Sequence, residues 1–145
     1  MNKDDINKFT SANFETMMNK VKIDRNGDNL VRLLVVTKGL EVLVPMNQSD
    51  YSERNIKHTP VEETNEKGER YLVCYSSKEY VRSEHLQQGY KLVVKNFIDF
   101  VNEYYDNSIH EGICINPNNE YNLHLVNVLL DAMKTNVLEL LLYGD

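Results

Sequence analysis

A chain of 145 residues with 41% hydrophobic and 26% charged side chains has the size and composition of one soluble globular domain, able to bury a core without disulfides or metals. Its formal charge of −6 is concentrated in the second half, where from Asn96 onward eight acidic residues stand against one basic residue, Lys134. A phosphate backbone would be repelled by that half and finds no basic stripe in the other, which excludes nucleic acid as a partner. The acidity itself reads as solvated surface that aids solubility.

The longest mostly apolar region, residues 30–46, is interrupted by Arg32, Lys38 and Glu41, too many charges for a membrane span. The first eight residues, MNKDDINK, are charged and no apolar run follows them, so no secretory signal is expected. Cys74 and Cys114 both sit inside apolar runs and read as buried free thiols of a reducing compartment. A cytoplasmic protein is expected, in which the sequon Asn47-Gln48-Ser49 never meets the glycosylation machinery.

In chain order, Phe14, Met17, Met18 and Val21 follow helical spacing and predict a first helix over residues 11–20. Asp24-Arg25-Asn26-Gly27 breaks it. Asp28 is placed to cap a second helix whose buried stripe is Leu30, Leu33 and Leu34, with Gly39 as a left-handed stop. Residues 40–44 then read as a strand ended by Pro45, and residues 47–57 as a polar surface loop. Residues 59–64 and 69–75 flank the turn Asn65-Glu66-Lys67-Gly68, which predicts a hairpin. Its second strand is apolar on both faces and should be central; its first, carrying Pro60, should lie at an edge.

Ser76-Ser77 should cap a short helical turn through Val81. Residues 90–94 predict a strand, and Phe97, Ile98, Val101, Tyr104 and Tyr105 a third helix. Residues 112–115 form another strand, apolar throughout, that should pair with the strand of Cys74 or that of Val44. Asn116-Pro117-Asn118-Asn119 fits a type I turn, with the Asn116 side chain bonding an amide two residues on and Pro117 in second place. Residues 120–123 return as a short strand. Val126, Leu129, Leu130, Met133, Val137, Leu140 and Leu141 then mark one long final helix. The element order predicts a single α+β domain, with a mixed, largely antiparallel sheet of about five strands packed with helices.

Catalytic and metal motifs are weak. Asp24-Arg25-Asn26-Gly27-Asp28 imitates the start of a calcium loop, but glycine is misplaced and the twelfth position holds Val35 instead of a bidentate glutamate. His58, His85, His110 and His124 lack helix-ligand spacing, and neither cysteine belongs to a Cys-x-x-Cys pair. Both thiols are mid-strand with apolar neighbours, which opposes a nucleophilic role. Glu62-Glu63 and Asp4-Asp5 are adjacent carboxylates in polar segments, without the apolar pocket that would tune one as an acid. No catalytic residue, cofactor or metal is expected. The tyrosines, among them Tyr71, Tyr75, Tyr80, Tyr90, Tyr104 and Tyr105, suit a core or a recognition surface.

One set of residues resembles a known family. A helix ending in glycine, a strand closing on Val44-Pro45, and the run Tyr71-Leu72-Val73-Cys74-Tyr75-Ser76-Ser77-Lys78-Glu79 are similar to the SseB amino-terminal-domain family, named for enhanced serine sensitivity in bacteria. Gly112, Ile115, Asn116 and Pro117 match that family's glycine-x-x-isoleucine-asparagine-proline strand before the final helix. Tyr75 and Ser76 depart from its aromatic-threonine pair. The resemblance spans residues 30–141, leaving 1–29 as an amino-terminal helical extension. It implies no catalytic residue, since the family's molecular activity is undefined, and the second, carboxy-terminal domain of longer members is not expected here.

The resulting expectation is a non-enzymatic module of the bacterial cytoplasm that binds a protein or peptide, with a homo-oligomer also compatible. The alternative is a small-molecule sensor or cryptic enzyme whose pocket lies at the strand ends near Ser76, Ser77 and Asn116. Tyr75, Ser76, Ser77, Asn116 and Pro117 are the candidate binding residues, because loops at strand ends commonly carry recognition.

Overall fold

A computed structural model describes residues 9–47, 59–87 and 89–143. Helix α1 (Ser11–Ile23) begins at Thr10, which exchanges capping-box hydrogen bonds with Asn13. Helix α2 (Gly27–Lys38) is capped by Asn26, whose Oδ1 accepts from the Asn29 amide at 2.8 Å. Asp28, the cap expected from sequence, instead lies inside the first turn. Its carboxylate there still complements the positive helix end. Gly39 follows α2 with φ −96°, so the helix closes without a left-handed residue.

Strand β1 (Glu41–Asn47) runs through Pro45 instead of ending there. The amides of Glu41 and Leu43 bond Phe9 and Tyr75, and the Pro45 carbonyl accepts from Val61, all on the side away from β5 (Tyr90–Asn96). Pro45 therefore takes its place in the alternation where no full ladder demands an N–H, which is where a strand tolerates proline. Most of the expected loop after β1, together with Asp4-Asp5 and His58, lies outside the described residues.

The remaining elements are β2 (Thr59–Pro60), β3 (Glu62–Thr64), β4 (Arg70–Cys74), α3 (Phe97–Tyr104), β6 (Gly112–Ile115), β7 (Leu123–Val126), α4 (Asn127–Met133) and α5 (Val137–Tyr143), with short 3₁₀ turns at Lys78–Tyr80 and Ser83–Leu86. The α+β class and predominantly antiparallel pairing agree with the sequence expectation. The strands divide between two sheets, ordered β2-β1-β5 and β3-β4-β6-β7. They meet where Leu43 and Tyr75 exchange backbone hydrogen bonds of 2.8 and 2.9 Å.

The β3–β4 hairpin forms as expected. Gly68 at φ +80° supplies the turn conformation a side chain resists, and Asn65 Oδ1 accepts the Lys67 and Glu69 amides. The pairing of β4 with β6 is parallel, Val73 opposite Cys114, so the two thiol-bearing strands are neighbours. β7 starts later than the expected return strand, at Leu123, and pairs antiparallel with β6. His124 thus stands in a strand, not in a helix.

The long final helix is two helices. Thr135 separates them: its amide and hydroxyl both bond the Ala132 carbonyl, and its Oγ1 accepts from the Val137 amide at 3.3 Å. A hydroxyl that offers the backbone local partners competes with helix continuation.

Alternation sorts the strands into two clusters. Val42, Val44 and Met46 of β1 join Leu72, Cys74, Ile113, Ile115 and Leu125 beneath the helices, which contribute Phe14, Leu33, Phe97, Phe100, Leu130 and Met133. Fully burying a side chain such as Phe100 contributes roughly 1.5–3 kcal/mol. Phe14 is fully buried in this core, so the amino-terminal helix is part of it. The opposite faces carry a smaller cluster of Val73, Tyr75 and Val81, with Tyr71, Tyr80, Leu43 and Leu92 packed against it.

Candidate functional site

The five candidate residues converge at the joint between β4 and β6, with Tyr75, Ser76, Asn116 and Pro117 buried and Ser77 half-buried. Tyr75 is fully buried, and its hydroxyl lies 2.7 Å from His85 Nδ1. Burial pushes the Tyr75 phenol up to about 12 and holds the His85 imidazole below its ordinary range, the Arg82 charge adding to the effect. Ser77 caps the first 3₁₀ turn by accepting from the Glu79 amide, as expected.

Asn116 is fully buried. Its Oδ1 accepts from the Ser76 amide at 2.9 Å, and its Nδ2 donates to Ser76 Oγ at 2.8 Å and to the Tyr121 carbonyl at 3.2 Å. The expected bond to an amide two residues on is replaced by this cross-strand clasp. The turn differs too: Asn116 has φ 54° and Asn118 φ 62°. A positive φ at the third turn position excludes type I and matches type II. Asparagine is among the few residues that accept such angles. Pro117 is buried beneath the turn, leaving Asn118 exposed.

Two clefts open around this joint, and a third lies at the opposite end of β4 and β6. One of about 440 Å³ takes in Ser76 with Thr10, Ser11, Glu41 and Lys95. A second, about 380 Å³, lies on the outer face of the β3-β4-β6-β7 sheet and is lined by Glu63, Tyr71, Cys114, Pro117 and Asn122. Cys114 accepts from Asn122 Nδ2 at 3.0 Å. Burial raises its thiol, against the opposing effects of that hydrogen bond and of Arg82. Cys74 faces the main core, and burial raises it further. Neither thiol is prepared as a nucleophile.

A third cleft, about 390 Å³, borders β7 and includes Glu69, Tyr71, Glu111, His124, Val126 and Val128. Tyr71 lines both outer-face clefts, and its ring lies 5.6 Å from that of His124.

The adjacent carboxylates Glu62 and Glu63 point to opposite faces, as strand alternation requires. Glu62 bonds His110 Nε2 and Arg70 Nε, each at 2.9 Å. Burial works to raise the Glu62 carboxyl, but the hydrogen bonds from His110 and Arg70 outweigh it and hold the group below the usual range. Glu63 is ion-paired with Arg82, which also approaches Glu84 at 3.0 Å. Glu63, Glu84 and His85 present ligand atoms within 4.8 Å of one another. Arg82 already supplies the positive charge there, so a divalent cation would have to displace it.

These partnerships escaped the sequence reading, because Glu62–His110 spans 48 positions and follows no local spacing. The β7 cleft escapes it as well, since the sequence places the return strand at residues 120–123 and starts the final helix at Val126, whereas β7 is Leu123–Val126. No protein-family model, curated protein or solved structure matches the chain.

Proposed function

We propose that the chain is a bacterial cytoplasmic interaction module of the SseB amino-terminal-domain kind, which binds a protein or peptide and performs no chemistry on it. The observation that carries this reading is the edge strand β7. Its sequence, Leu123-His124-Leu125-Val126, has no lysine, carboxylate or proline to discourage pairing. Val126 and Val128 beside it are 48% and 75% exposed. An uncharged edge with apolar side chains along it suits recognition by main-chain pairing.

A photo-crosslinking amino acid placed at position 128 tests the reading in cells. Covalent adducts with a discrete protein, absent when the probe stands at Glu79, are the expected result. The alternative, a small-molecule sensor, draws support from the cleft at Ser76, whose lining includes Lys95 and two hydroxyls, Thr10 and Ser11. A thermal-shift screen of amino acids, nucleotides and metals separates the two, because a ligand of the native state must raise its melting temperature. Saturable stabilisation by one metabolite class would replace the interaction reading.

A further inference from the structure

Resting on the interaction reading above, we propose that β7 takes up an extended, basic segment of a partner protein as an added strand, with a lysine or arginine side chain of that segment held between Glu69 and Glu111. β7 pairs with β6 alone, and no backbone group of its four residues bonds another segment among the described residues. It is therefore a template for one more strand.

The cleft beside that edge says what kind of segment fits. Its apolar surface comes from Tyr71, Val126 and Val128, and its carboxylates are Glu69 and Glu111. Glu111 is exposed, and no hydrogen bond or ion pair involves its carboxylate among the described residues. Glu69 is held in place by the amide of Asn65, which donates to Oε1 at 2.8 Å. In a strand laid along β7, alternate side chains face this cleft, so apolar and basic residues at every second position match its lining.

Asn127, the first residue after β7, also lines the cleft. The excess of negative charge in the second half of the chain favours a basic partner and opposes a second copy of the same surface.

Selection from a random peptide display library on the intact chain tests the proposal. The expected binders are extended peptides carrying a lysine or arginine among β-branched residues. Their affinity should fall at least about tenfold for the double variant Glu69→Lys with Glu111→Lys, and by less for Glu111→Gln. It should stay unchanged for Glu79→Lys and weaken with added salt. Amide NMR shifts on titrating a selected peptide should centre on His124 and Val126, and unchanged melting temperatures verify that the variants fold. Binders lacking a basic residue, or indifferent to the double charge reversal, overturn this site while leaving the interaction reading intact. Failure to recover any binder overturns both. A dimer dissociated by Glu111→Lys would assign the edge to a second copy and likewise refute the basic-peptide proposal.

Discussion

Asn116 and Ser76, 40 positions apart, close the ends of β6 and β4 on each other through two reciprocal hydrogen bonds of 2.9 and 2.8 Å. The carboxamide does what a missing strand would do there: it satisfies a buried amide and a buried hydroxyl where the ladder stops. Its left-handed backbone turns the chain away immediately afterwards, so position and conformation are set together.

Replacing Asn116 with alanine leaves the Ser76 amide without its partner and forces a Cβ-branching-free but still disfavoured residue into the left-handed region. The expected loss is about 2–5 kcal/mol, from an unsatisfied buried donor at about 1–3 kcal/mol and left-handed strain at about 1–2 kcal/mol. Asn116→Gly should recover the strain component only. Urea unfolding with an unchanged m-value checks both numbers; a loss below about 0.5 kcal/mol for alanine would remove the clasp from the account.

Gly112 is constrained by space, not by angle. A Cβ there would drive into the Leu125 carbonyl oxygen, with His124 Nε2 and the Leu125 carbonyl carbon close behind. These are β7 atoms, mostly backbone, so relief requires moving the strand. Gly112→Ala should destabilise by about 1–3 kcal/mol and loosen β7 selectively, visible as faster hydrogen exchange at Leu123 and Leu125 than in β4.

His85 makes stability depend on pH. Burial, with the Arg82 charge beside it, holds its imidazole in the folded chain below the ordinary histidine value of about 6.5, so below that pH the unfolded chain binds more protons than the native one. The contribution is therefore fully present above about pH 6.5 and is lost as the pH falls toward the depressed native value. Urea midpoints should decline from about pH 7.5 to about pH 5. The decline should flatten in His85→Gln. Tyr75→Phe should cost about 1–3 kcal/mol by stranding Nδ1.

The two thiols should react in a fixed order. Cys114 is 6% exposed and borders a cleft, whereas Cys74 is fully buried, and burial raises both. A disulfide reagent should modify Cys114 first and slowly, and Cys74 only on global unfolding. Equal rates in the native state would contradict the burial of the β4–β6 pair.

Much of the scaffold was legible because local chemistry and tertiary demand agree there. The Asn65–Gly68 turn and the Ser77 cap rest on residues suited to those places, and apolar character on both faces narrowed the partner of the Cys114 strand to that of Cys74 or that of Val44, of which the first is the one formed. Legibility failed where a local rule met a tertiary exception. Pro45 signalled a strand end but was admitted on a side with few partners. A continuous apolar stripe signalled one final helix, and Thr135 cut it with hydrogen bonds that hydropathy does not register. The Asn116 clasp and the β7 cleft depend on which distant segments become neighbours, and no spacing in the chain encodes that.

The order in which strands enter the two sheets has a consequence for assembly. β1 and β2 belong to the first sheet, β3 and β4 to the second, β5 returns to the first, and β6 and β7 to the second. Neither sheet is a contiguous piece of chain, so no cut leaves one whole and the other untouched. The parallel β4–β6 ladder closes only after β5 and α3 have been carried across between its strands, a non-local step of the kind that slows folding. Early hairpins can form from β3 with β4 or β6 with β7. The two sheets must then be completed together, which predicts one concerted unfolding transition instead of separate melting of halves.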